Sequence, residues 1–291
     1  MILNWLKERQ LQKKNCHAVI PTKKGYTFFV TKKESLNKLS FKDRLPRRLL
    51  FWRCNVEEVP RAKTQVLIRR QIHATGHPGV GTAGGVVDRK EYGVFTFIQD
   101  ELFEKILGWK TEHPELTNIG LKQYVITNHH VVSLTSNEQQ VHVHHPTTAT
   151  GRYIAFKAEH FLPEYDCALL SPISKIGHDW IQDHYDPKPF KQMKEGDELF
   201  KEGRTTGKTE GVCVSTNATI AVDYPTGTRI CRGVDVYRHK QHNRSFTKSG
   251  DSGSLILSKD KTKIHALHFA GNNIFSFGYP LPAFAKQLQL R

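Results

Sequence analysis

The stretch Phe246-Thr247-Lys248-Ser249-Gly250-Asp251-Ser252-Gly253-Ser254 decides the fold of this 291-residue chain. A serine hydroxyl is a weak nucleophile at neutral pH and needs a base beside it. Gly250 lets the backbone turn tightly, so that the amides of Gly250 and Ser252 converge on one point. Two such donors stabilise the oxyanion of an acyl-transfer intermediate. The stretch therefore predicts a nucleophile turn with Ser252 as the nucleophile and Gly250 and Ser252 as the oxyanion hole. The alternative is an ordinary glycine-serine turn.

The partners of such a serine are expected upstream, because one known arrangement uses the chain order histidine, aspartate, serine. Tyr124–Val132 is an apolar, β-branched strand with a polar break before His130, and Asp166 opens the apolar run Asp166–Leu170. An acid at the mouth of a buried strand holds an imidazole in one tautomer. The alternatives are a solvated or core histidine and a strand-opening Asp166. Three pieces in the required order predict a catalytic triad of His130, Asp166 and Ser252.

These segments resemble those of the trypsin-like peptidase superfamily. In its HtrA-type and bacterial branches the catalytic histidine directly precedes a valine, which selects His130 over His129. The resemblance spans roughly residues 72–285 and is carried by Gly81–Val87, Thr127–Val132, Asp166–Leu170, Gly203–Gly207 and Phe246–Ser254. It implies an all-β fold of two antiparallel β-barrels of the chymotrypsin type, with the active site in the cleft between them.

The hydrophobic pattern agrees with that fold class. Short runs rich in Val, Ile, Phe, Tyr and Thr recur between Gly and Pro turn signals, as in closed antiparallel sheets. Strands are expected at 93–98, 124–132, 140–144, 167–170, 211–216, 218–222, 254–257 and 264–269, and helices at 100–109 and 281–290. The predicted domains are a basic N-terminal extension, 1–70, and a peptidase domain, 71–285. Within the latter, the first barrel spans about 72–172 and the second about 195–282.

Cysteine content and apolar run length bear on the compartment. The chain has five cysteines at irregular spacing, Cys16, Cys54, Cys167, Cys213 and Cys231. This favours a reducing compartment over a disulfide framework, with Cys213 and Cys231 as buried thiols. Residues 1–10 carry charges inside their apolar stretch, unlike a secretory signal, and no apolar run reaches the length of a membrane span. The sequence thus predicts an intracellular protein without a membrane span, and leaves its oligomeric state open.

Positive charge is concentrated at the N-terminus. Residues 1–70 hold 18 Lys and Arg against 5 Asp and Glu, a net +13 of the chain's +15. Aromatic residues are interleaved with these charges: Trp5, Tyr26, Phe28, Phe29, Phe51 and Trp52. Such a segment attracts nucleic acid, anionic lipid or an acidic protein, so an anionic partner is one prediction. The alternative is a solvated arm that packs a few aromatics onto the peptidase body.

The residues before the nucleophile and a strand after it wall the specificity pocket of this fold. Phe246 stands six positions before the serine, where trypsin has an aspartate, so selection of Lys or Arg is not expected. His268-Phe269-Ala270-Gly271 resembles a segment of glutamyl endopeptidases, and Thr247 matches a threonine in their pocket. A histidine and a hydroxyl hold a carboxylate by charge-assisted hydrogen bonds. We therefore expect a preference for Glu or Asp before the scissile bond. The alternative is a core His268 with Phe246 forming an apolar pocket.

The substrate backbone is expected to pair as an added strand with Phe269, Ala270 and Gly271, where Gly271 leaves room for a side chain. Asp251 matches an aspartate that pairs, in secreted trypsins, with an N-terminus freed by cleavage. The chain has no Ile-Val-Gly-Gly start, so Asp251 needs another partner, such as an arginine, or is solvated. An unpaired buried carboxylate is costly.

Two histidine groups raise the question of a metal. His142 and His144, beside His145, share a strand face, but no cysteine pair or acid accompanies them at a fixed spacing. His239 and His242 fall in a polar loop. A polar strand edge and a loop are the simpler interpretations, so no metal and no cofactor are predicted.

Together these patterns predict a serine endopeptidase that acts on peptide or protein substrates. Two alternatives from other classes stay open. One is a catalytically silent peptidase fold used as a binding module. The other is a protein whose main activity is nucleic-acid or anionic-surface binding through residues 1–70.

Overall fold

The computed structural model describes residues 2–64, 72–74, 82–94, 116–132, 140–144 and 153–290. The helix expected at 100–109 and the end of the strand expected at 93–98 lie outside these residues. The described strands, in chain order, are β1 (Cys16–Thr22), β2 (Gly25–Val30), β3 (Arg48–Leu49), β4 (Trp52–Glu58), β5 (Ala62–Thr64), β6 (Ile72–Ala74), β7 (Gly85–Val94), β8 (Leu116–Asn128), β9 (Gln140–His144), β10 (Tyr153–Leu162), β11 (Cys167–Pro172), β12 (Glu198–Gly203), β13 (Gly207–Tyr224), β14 (Gly227–His239), β15 (Leu255–Ser258), β16 (Ile264–Gly271) and β17 (Ser276–Pro280).

Two sheets hold all of these strands. The first has six antiparallel strands in the order β6-β9-β10-β11-β8-β7. In the second, the path β12-β15-β16-β17-β14-β13 closes on itself because β12 also pairs with β13. This closure gives a six-stranded antiparallel barrel. The expected all-β fold class is confirmed.

Residues before β5 extend the second sheet. β1 pairs with β13 on one side and β2 on the other, and β4 and β3 continue the sheet outward. β1 and β2 are largely buried, because helix α1 (Ile2–Leu11) covers one side through Leu6 and Leu11. β1 and β2 are therefore part of the second sheet and not a solvated arm. The sequence did not predict these strands, because lysines and arginines flank their apolar runs and dominate the composition of the segment.

Strand ends differ from expectation where side chains redirect the backbone. The strand expected to reach Val132 ends at Asn128 and continues as helix α2 (His129–Val132). The two strands expected at 211–216 and 218–222 are one strand, β13, with a bulge at Asn217, whose φ is 59°. The break in the hydrophobic pattern at Asn217 marks this bulge.

Two further helices complete the described elements. Helix α3 (Lys175–His184) begins at Ser174, whose side chain accepts a hydrogen bond from the Gly177 amide. At the C-terminus, α4 (Leu281–Phe284) is shorter than the expected 281–290, and Leu290 then forms a bridge with Arg89 of the first sheet. One large apolar cluster joins the two sheets, with Ile126, Leu169, Val236 and Leu267 among its fully buried members.

Candidate active site

His130 lies in the first turn of α2, at the edge of the first sheet. The chain bends there because the carbonyl oxygen of Asp166 accepts hydrogen bonds from the His129 amide, at 3.0 Å, and from Asn128 Nδ2, at 2.9 Å. The bend turns the His130 side chain toward Asp166, and Val131 and Val132 anchor α2 in the core.

Asp166 follows a 3-10 turn and has left-handed backbone geometry, φ 49° and ψ 43°. Aspartate is among the few residues that tolerate this conformation. Its carboxylate, 1% exposed, accepts from His130 twice: Oδ2 from Nδ1 at 2.5 Å and Oδ1 from the backbone amide at 2.8 Å. Tyr224 Oη donates to Oδ2 at 3.2 Å, and its ring meets the His130 ring edge-on. The aspartate thereby fixes both the tautomer and the orientation of His130.

Ser252 lies in a turn of the second sheet between Gly250, φ 96°, and Gly253, φ 95°. Thr82, next to the first sheet, holds this turn. Its amide donates to the Ser252 carbonyl oxygen at 2.7 Å, and its hydroxyl donates to the Gly250 carbonyl oxygen at 2.8 Å. The approach is so close that a Cβ on Gly253 would lie 2.2 Å from the Thr82 carbonyl oxygen. The turn that carries Ser252 is thus held against the segment that leads into the first sheet.

The Ser252 hydroxyl donates to the Phe269 carbonyl oxygen at 3.2 Å. Across the cleft, His130 Nε2 is buried and has no hydrogen-bond partner among the residues that the structure describes. Catalytic hydrogen bonds are often long or unformed before substrate binds. The arrangement offers a hydroxyl, and a buried ring nitrogen able to accept its proton.

Asp251 has a partner that the sequence did not suggest, the lysine Lys201 of β12. Lys201 Nζ lies 3.0 Å from Asp251 Oδ2, and both side chains are fully buried. The other oxygen, Oδ1, accepts from the Thr205 amide at 2.7 Å and the Thr206 amide at 3.2 Å, and Lys248 N donates to Oδ2 at 2.9 Å. Burial by itself raises the pKa of Asp251, but Lys201 and these donors outweigh it and hold that pKa below its usual value.

The predicted pocket residues divide into two groups. Phe246 is 1% exposed and packs in a core cluster with Leu199, Tyr237 and Ile256, so its ring faces the barrel interior. His268 is fully buried, and its Nδ1 donates to the Phe277 carbonyl oxygen at 3.0 Å. Burial lowers the pKa of His268 to about 3, so the ring is neutral near pH 7.

Thr247 and Gly271 lie instead at an open groove beside the nucleophile turn, with a volume of about 580 Å³. Its lining is polar and basic: Pro60, Arg61, Lys63, Thr205, Thr247, Lys248, Ser249, Gly271, Asn272 and Asn273. Phe269 stacks on Tyr279, with ring centroids 4.7 Å apart, and Ala270 is buried. Neither Phe246 nor His268 lines this groove.

Three residues of the site escaped the sequence reasoning: Thr82, Lys201 and Tyr224. Lys201 stands in an apolar strand, Leu199-Phe200-Lys201, where a lysine pointing inward signals a buried counter-ion. Tyr224 ends a long strand, and Thr82 precedes one, and neither position carries a chemical motif.

The cysteine and histidine predictions fall partly outside the described residues. All five cysteines are free thiols, and Cys213 and Cys231 pair with different residues, Tyr237 and Ile220. His145 and the side chains of β9 lie outside the described part of the chain. Within that part, no three metal-binding side chains come together. His239 is the last residue of β14 and is partly exposed, and His242 is an exposed residue of the loop that follows. No helix in the described ranges is long and apolar enough to cross a membrane.

Comparison with known proteins rests on structure, because no protein-family model and no curated protein matches the sequence. A chymotrypsin from Cellulomonas bogoriensis is 16% identical, covers 78% of this chain and 97% of its own, and has a TM-score of 0.42. Protease A from Thermobifida fusca is 13% identical over the same shares, with a TM-score of 0.46. A glutamic acid-specific serine protease, which uses a histidine triad in substrate binding, is 14% identical, covers 58% of this chain and 85% of its own, and has a TM-score of 0.41.

Proposed function

We propose that the chain is a serine endopeptidase with Ser252 as nucleophile, His130 as general base and Asp166 as the orienting acid. The observation that carries this proposal is the pair of hydrogen bonds from His130 to the Asp166 carboxylate. Nδ1 donates to Oδ2 at 2.5 Å, and the backbone amide donates to Oδ1 at 2.8 Å. With Nδ1 committed to Asp166, Nε2 is the ring atom left to take a proton from a nucleophile. A buried ring nitrogen that has no partner among the described residues calls for an explanation, and a role in catalysis supplies one.

The proposed reaction begins when a substrate strand pairs with β16. A substrate N–H donates to the Phe269 carbonyl oxygen and displaces the Ser252 hydroxyl, which then turns to His130 Nε2. Ser252 Oγ attacks the peptide carbonyl carbon while His130 takes its proton, and the amides of Gly250 and Ser252 hold the oxyanion. His130 protonates the leaving amine, and water hydrolyses the acyl-enzyme.

We further propose that the groove beside Thr247 receives an acidic or amide side chain before the scissile bond. Thr247, Lys248 and Ser249 offer hydrogen-bond donors, and none of the described residues that line the groove carries a carboxylate. Its positive charge comes from Lys248, Arg61 and Lys63 rather than from His268, which is neutral. This refines the basis of the expected Glu or Asp preference, because the complementary charge is supplied by lysine and arginine.

A fluorophosphonate probe tests the catalytic proposal. We expect wild-type protein to be labelled at Ser252, and Ser252→Ala and His130→Ala to stay unlabelled while retaining wild-type circular dichroism. A folded wild type that the probe does not label would favour the silent binding module.

Peptides that differ only at the residue before the scissile bond test the pocket. We expect Glu and Gln to be cleaved faster than Leu or Phe, and Lys248→Ala to reduce kcat/KM for Glu by 3- to 10-fold, about 1 kcal/mol. Lys194→Ala, an exposed lysine away from the groove, is the matched control. Cleavage after Leu or Phe that exceeds cleavage after Glu tenfold would contradict the proposal.

The basic N-terminal residues support a second proposal, an anionic partner. Phe41 is 89% and Phe51 93% exposed, and Trp52 is half exposed, beside Arg47 and Arg48. Exposed aromatics among arginines suit stacking on single-stranded nucleic acid. A fluorescent single-stranded oligonucleotide should bind more weakly as salt rises, and Arg47→Glu/Arg48→Glu should abolish binding. Binding that is insensitive to salt and to this change would contradict the proposal.

A further inference from the structure

The peptide group between Ser249 and Gly250 is held by a threonine from a different turn. Thr205 lies between β12 and β13, and its hydroxyl donates to the Ser249 carbonyl oxygen at 2.6 Å. The Thr205 amide donates to Asp251 Oδ1 at 2.7 Å, which fixes the position of this threonine beside the turn that carries Ser252. Thr205 therefore sets the orientation of this peptide group from outside the nucleophile turn.

The direction of the Gly250 N–H follows from that contact. The peptide bonds of the described residues are trans, and in a trans peptide group the carbonyl and the N–H point in opposite directions. The bond from Thr205 to the Ser249 carbonyl oxygen thus turns the Gly250 N–H away from Thr205. Gly250 has φ 96°, and glycine adopts positive and negative φ about equally well. Without the hydroxyl, rotation of this peptide group would replace the N–H of the proposed oxyanion hole with a carbonyl oxygen.

The peptide group between Asp251 and Ser252 is held in the same manner. The Asp251 carbonyl oxygen accepts from the Ser254 hydroxyl at 2.6 Å and from the Ser254 amide at 3.0 Å. Ser254 is fully buried, and hydrogen bonds shielded from water are electrostatically stronger. Because this carbonyl points to Ser254, the Ser252 N–H points the other way. Both amides of the proposed oxyanion hole therefore belong to peptide groups whose carbonyl oxygens accept from a hydroxyl.

The peptide group between these two is also held by a hydroxyl. The Gly250 carbonyl oxygen accepts from the Thr82 hydroxyl at 2.8 Å, and the Thr82 hydroxyl accepts from the Arg204 amide at 3.2 Å. Arg204 and Thr205 are neighbours in the turn between β12 and β13. This turn thus orients two successive peptide groups beside Ser252, one directly through Thr205 and one through Thr82.

We propose that Thr205 is a positioning residue of the peptidase, which presets the Gly250 amide of the oxyanion hole, and that Ser254 does the same for the Ser252 amide. The inference rests on the proposed peptidase function. Donors that are oriented before the substrate binds stabilise an oxyanion without reorganisation at the moment of reaction. Thr205 acts through one peptide group and needs no contact with the reacting atoms.

Loss of the Thr205 hydroxyl should divide the protein between two orientations of the peptide group that joins Ser249 to Gly250. Only one of them offers the Gly250 N–H to the oxyanion, and activity falls with the population of that state. A neutral hydrogen bond shifts such an equilibrium by about 3- to 10-fold. The orientations differ in the oxyanion hole and not in substrate binding, so kcat should fall while KM stays the same.

Steady-state hydrolysis of the peptide that wild-type protein cleaves fastest tests this proposal. We expect Thr205→Val, which keeps a branched side chain without the hydroxyl, to lower kcat about 3- to 10-fold with KM unchanged. Thr205→Ser restores the hydroxyl and should restore kcat. Ser254→Ala should lose less than Thr205→Val, because the backbone amide of residue 254 still donates to the Asp251 carbonyl oxygen.

Thr209→Val is the matched control. The Thr209 hydroxyl donates to the Phe246 carbonyl oxygen at 2.9 Å, so it also holds a peptide group of the stretch that carries Ser252. That peptide group contributes no amide to the proposed oxyanion hole. Thr209→Val should therefore keep the wild-type kcat. A loss equal to that of Thr205→Val would show a general structural effect and would overturn the proposal.

A pair of inhibitors separates the oxyanion hole from the groove, which Thr205 also lines. A peptide aldehyde forms a hemiacetal with Ser252 that places an oxygen in the oxyanion hole, and the matching peptide alcohol binds without forming one. Thr205→Val should weaken the aldehyde by the same factor as kcat and leave the affinity of the alcohol unchanged. Equal weakening of both inhibitors would place the effect in the groove and contradict the proposal.

The folded state of the variants and the reactivity of wild type distinguish the remaining outcomes. Thr205 is exposed, so Thr205→Val and Thr205→Ala should unfold in urea like wild type. Unchanged kcat in both variants, or a loss that Thr205→Ser does not restore, would overturn the inference and leave the peptidase function standing. A folded wild type that neither hydrolyses peptides nor reacts with a fluorophosphonate would remove both proposals.

Discussion

Lys201 Nζ lies 3.0 Å from Asp251 Oδ2, with both side chains fully buried, and Asp251 directly precedes Ser252. Burial lowers the pKa of Lys201, and the neighbouring carboxylate opposes that shift. The lysine belongs to β12 of the same barrel, so the counter-ion of Asp251 forms with the fold itself. Asp251 therefore has its positively charged partner within the same sheet.

We expect Lys201→Met to lower the free energy of unfolding by about 3–5 kcal/mol, because the variant leaves the Asp251 carboxylate buried without its cation. The rate of fluorophosphonate labelling should also fall, because the Asp251 carboxylate orders the turn around Ser252 by accepting hydrogen bonds from the amides of Thr205, Thr206 and Lys248. Urea unfolding and labelling rate are the measurements. Lys259→Met, which removes an exposed ion pair with Glu198, is the control and should leave stability and labelling nearly unchanged.

Adding Asp251→Asn to Lys201→Met should recover part of the stability, because the uncompensated charge is gone. A Lys201→Met protein with wild-type stability and labelling would show that the ion pair does not order the turn.

Tyr224→Phe should lower kcat/KM for peptide hydrolysis 3- to 10-fold, equivalent to about 1 kcal/mol. The change removes one donor to Asp166 Oδ2, at 3.2 Å, and keeps the ring against His130. We expect kcat to decrease and KM to stay the same, because Tyr224 helps to orient His130 and does not line the groove beside Thr247. Tyr26→Phe, a buried tyrosine in β2, is the control. A loss confined to KM would contradict this role.

The segments around His130, Asp166 and Ser252 could be singled out from the sequence because their patterns are local. Glycines flank Ser252, an apolar strand precedes His130, and Asp166 opens another strand, and each pattern can be recognised within about ten residues. The antiparallel strands followed from the same short-range alternation. The structure brings His130 and Asp166 together as expected.

The residues that contact Asp251 and Gly250 could not be predicted in the same way, because these contacts join residues that are far apart in the sequence. Lys201 and Asp251 are 50 positions apart, and Thr82 and Gly250 are 168 apart. The N-terminal strands were missed for a related reason. Cys16–Thr22 is buried by pairing with β13 about 200 residues away, while composition alone emphasised the surrounding basic residues.

Gly253→Ala should abolish labelling and destabilise the protein. Gly253 has φ 95°, which disfavours a side chain, and the added Cβ would lie 2.2 Å from the Thr82 carbonyl oxygen. Relief of that clash would move Ser252 away from Thr82, whose amide donates to its carbonyl oxygen. Labelling rate and thermal unfolding test this. Gly196→Ala, also at positive φ but with open space around it, should lose stability without losing labelling. Equal labelling of both variants would contradict the argument.

Residues 66–291 produced alone should not fold stably. The truncated chain loses β1 and β2, whose Val19 and Phe28 are fully buried, and Phe29, which stacks on Phe275 at 4.9 Å. It also exposes the β13 edge that β1 covers. Circular dichroism and gel filtration should show an unfolded or aggregated species. Adding residues 1–65 as a separate peptide should restore the fold, and an independently folded 66–291 would contradict this view.

Asp235→Asn should stabilise the protein at alkaline pH and have little effect in acid. Burial raises the pKa of Asp235 from an ordinary 3.8 to about 7, so the folded state holds a proton that the unfolded state has released between these values. Stability therefore falls as pH rises from about 4 to about 7, and the full cost remains above that window. Each pKa unit corresponds to about 1.4 kcal/mol, so the gain from asparagine should be on the order of 2–4 kcal/mol at pH 8. Urea unfolding at pH 4, 6 and 8 measures it, with Asp179→Asn at an exposed position as the control. A gain of the same size at all three pH values would mean that packing, not ionisation, governs this site.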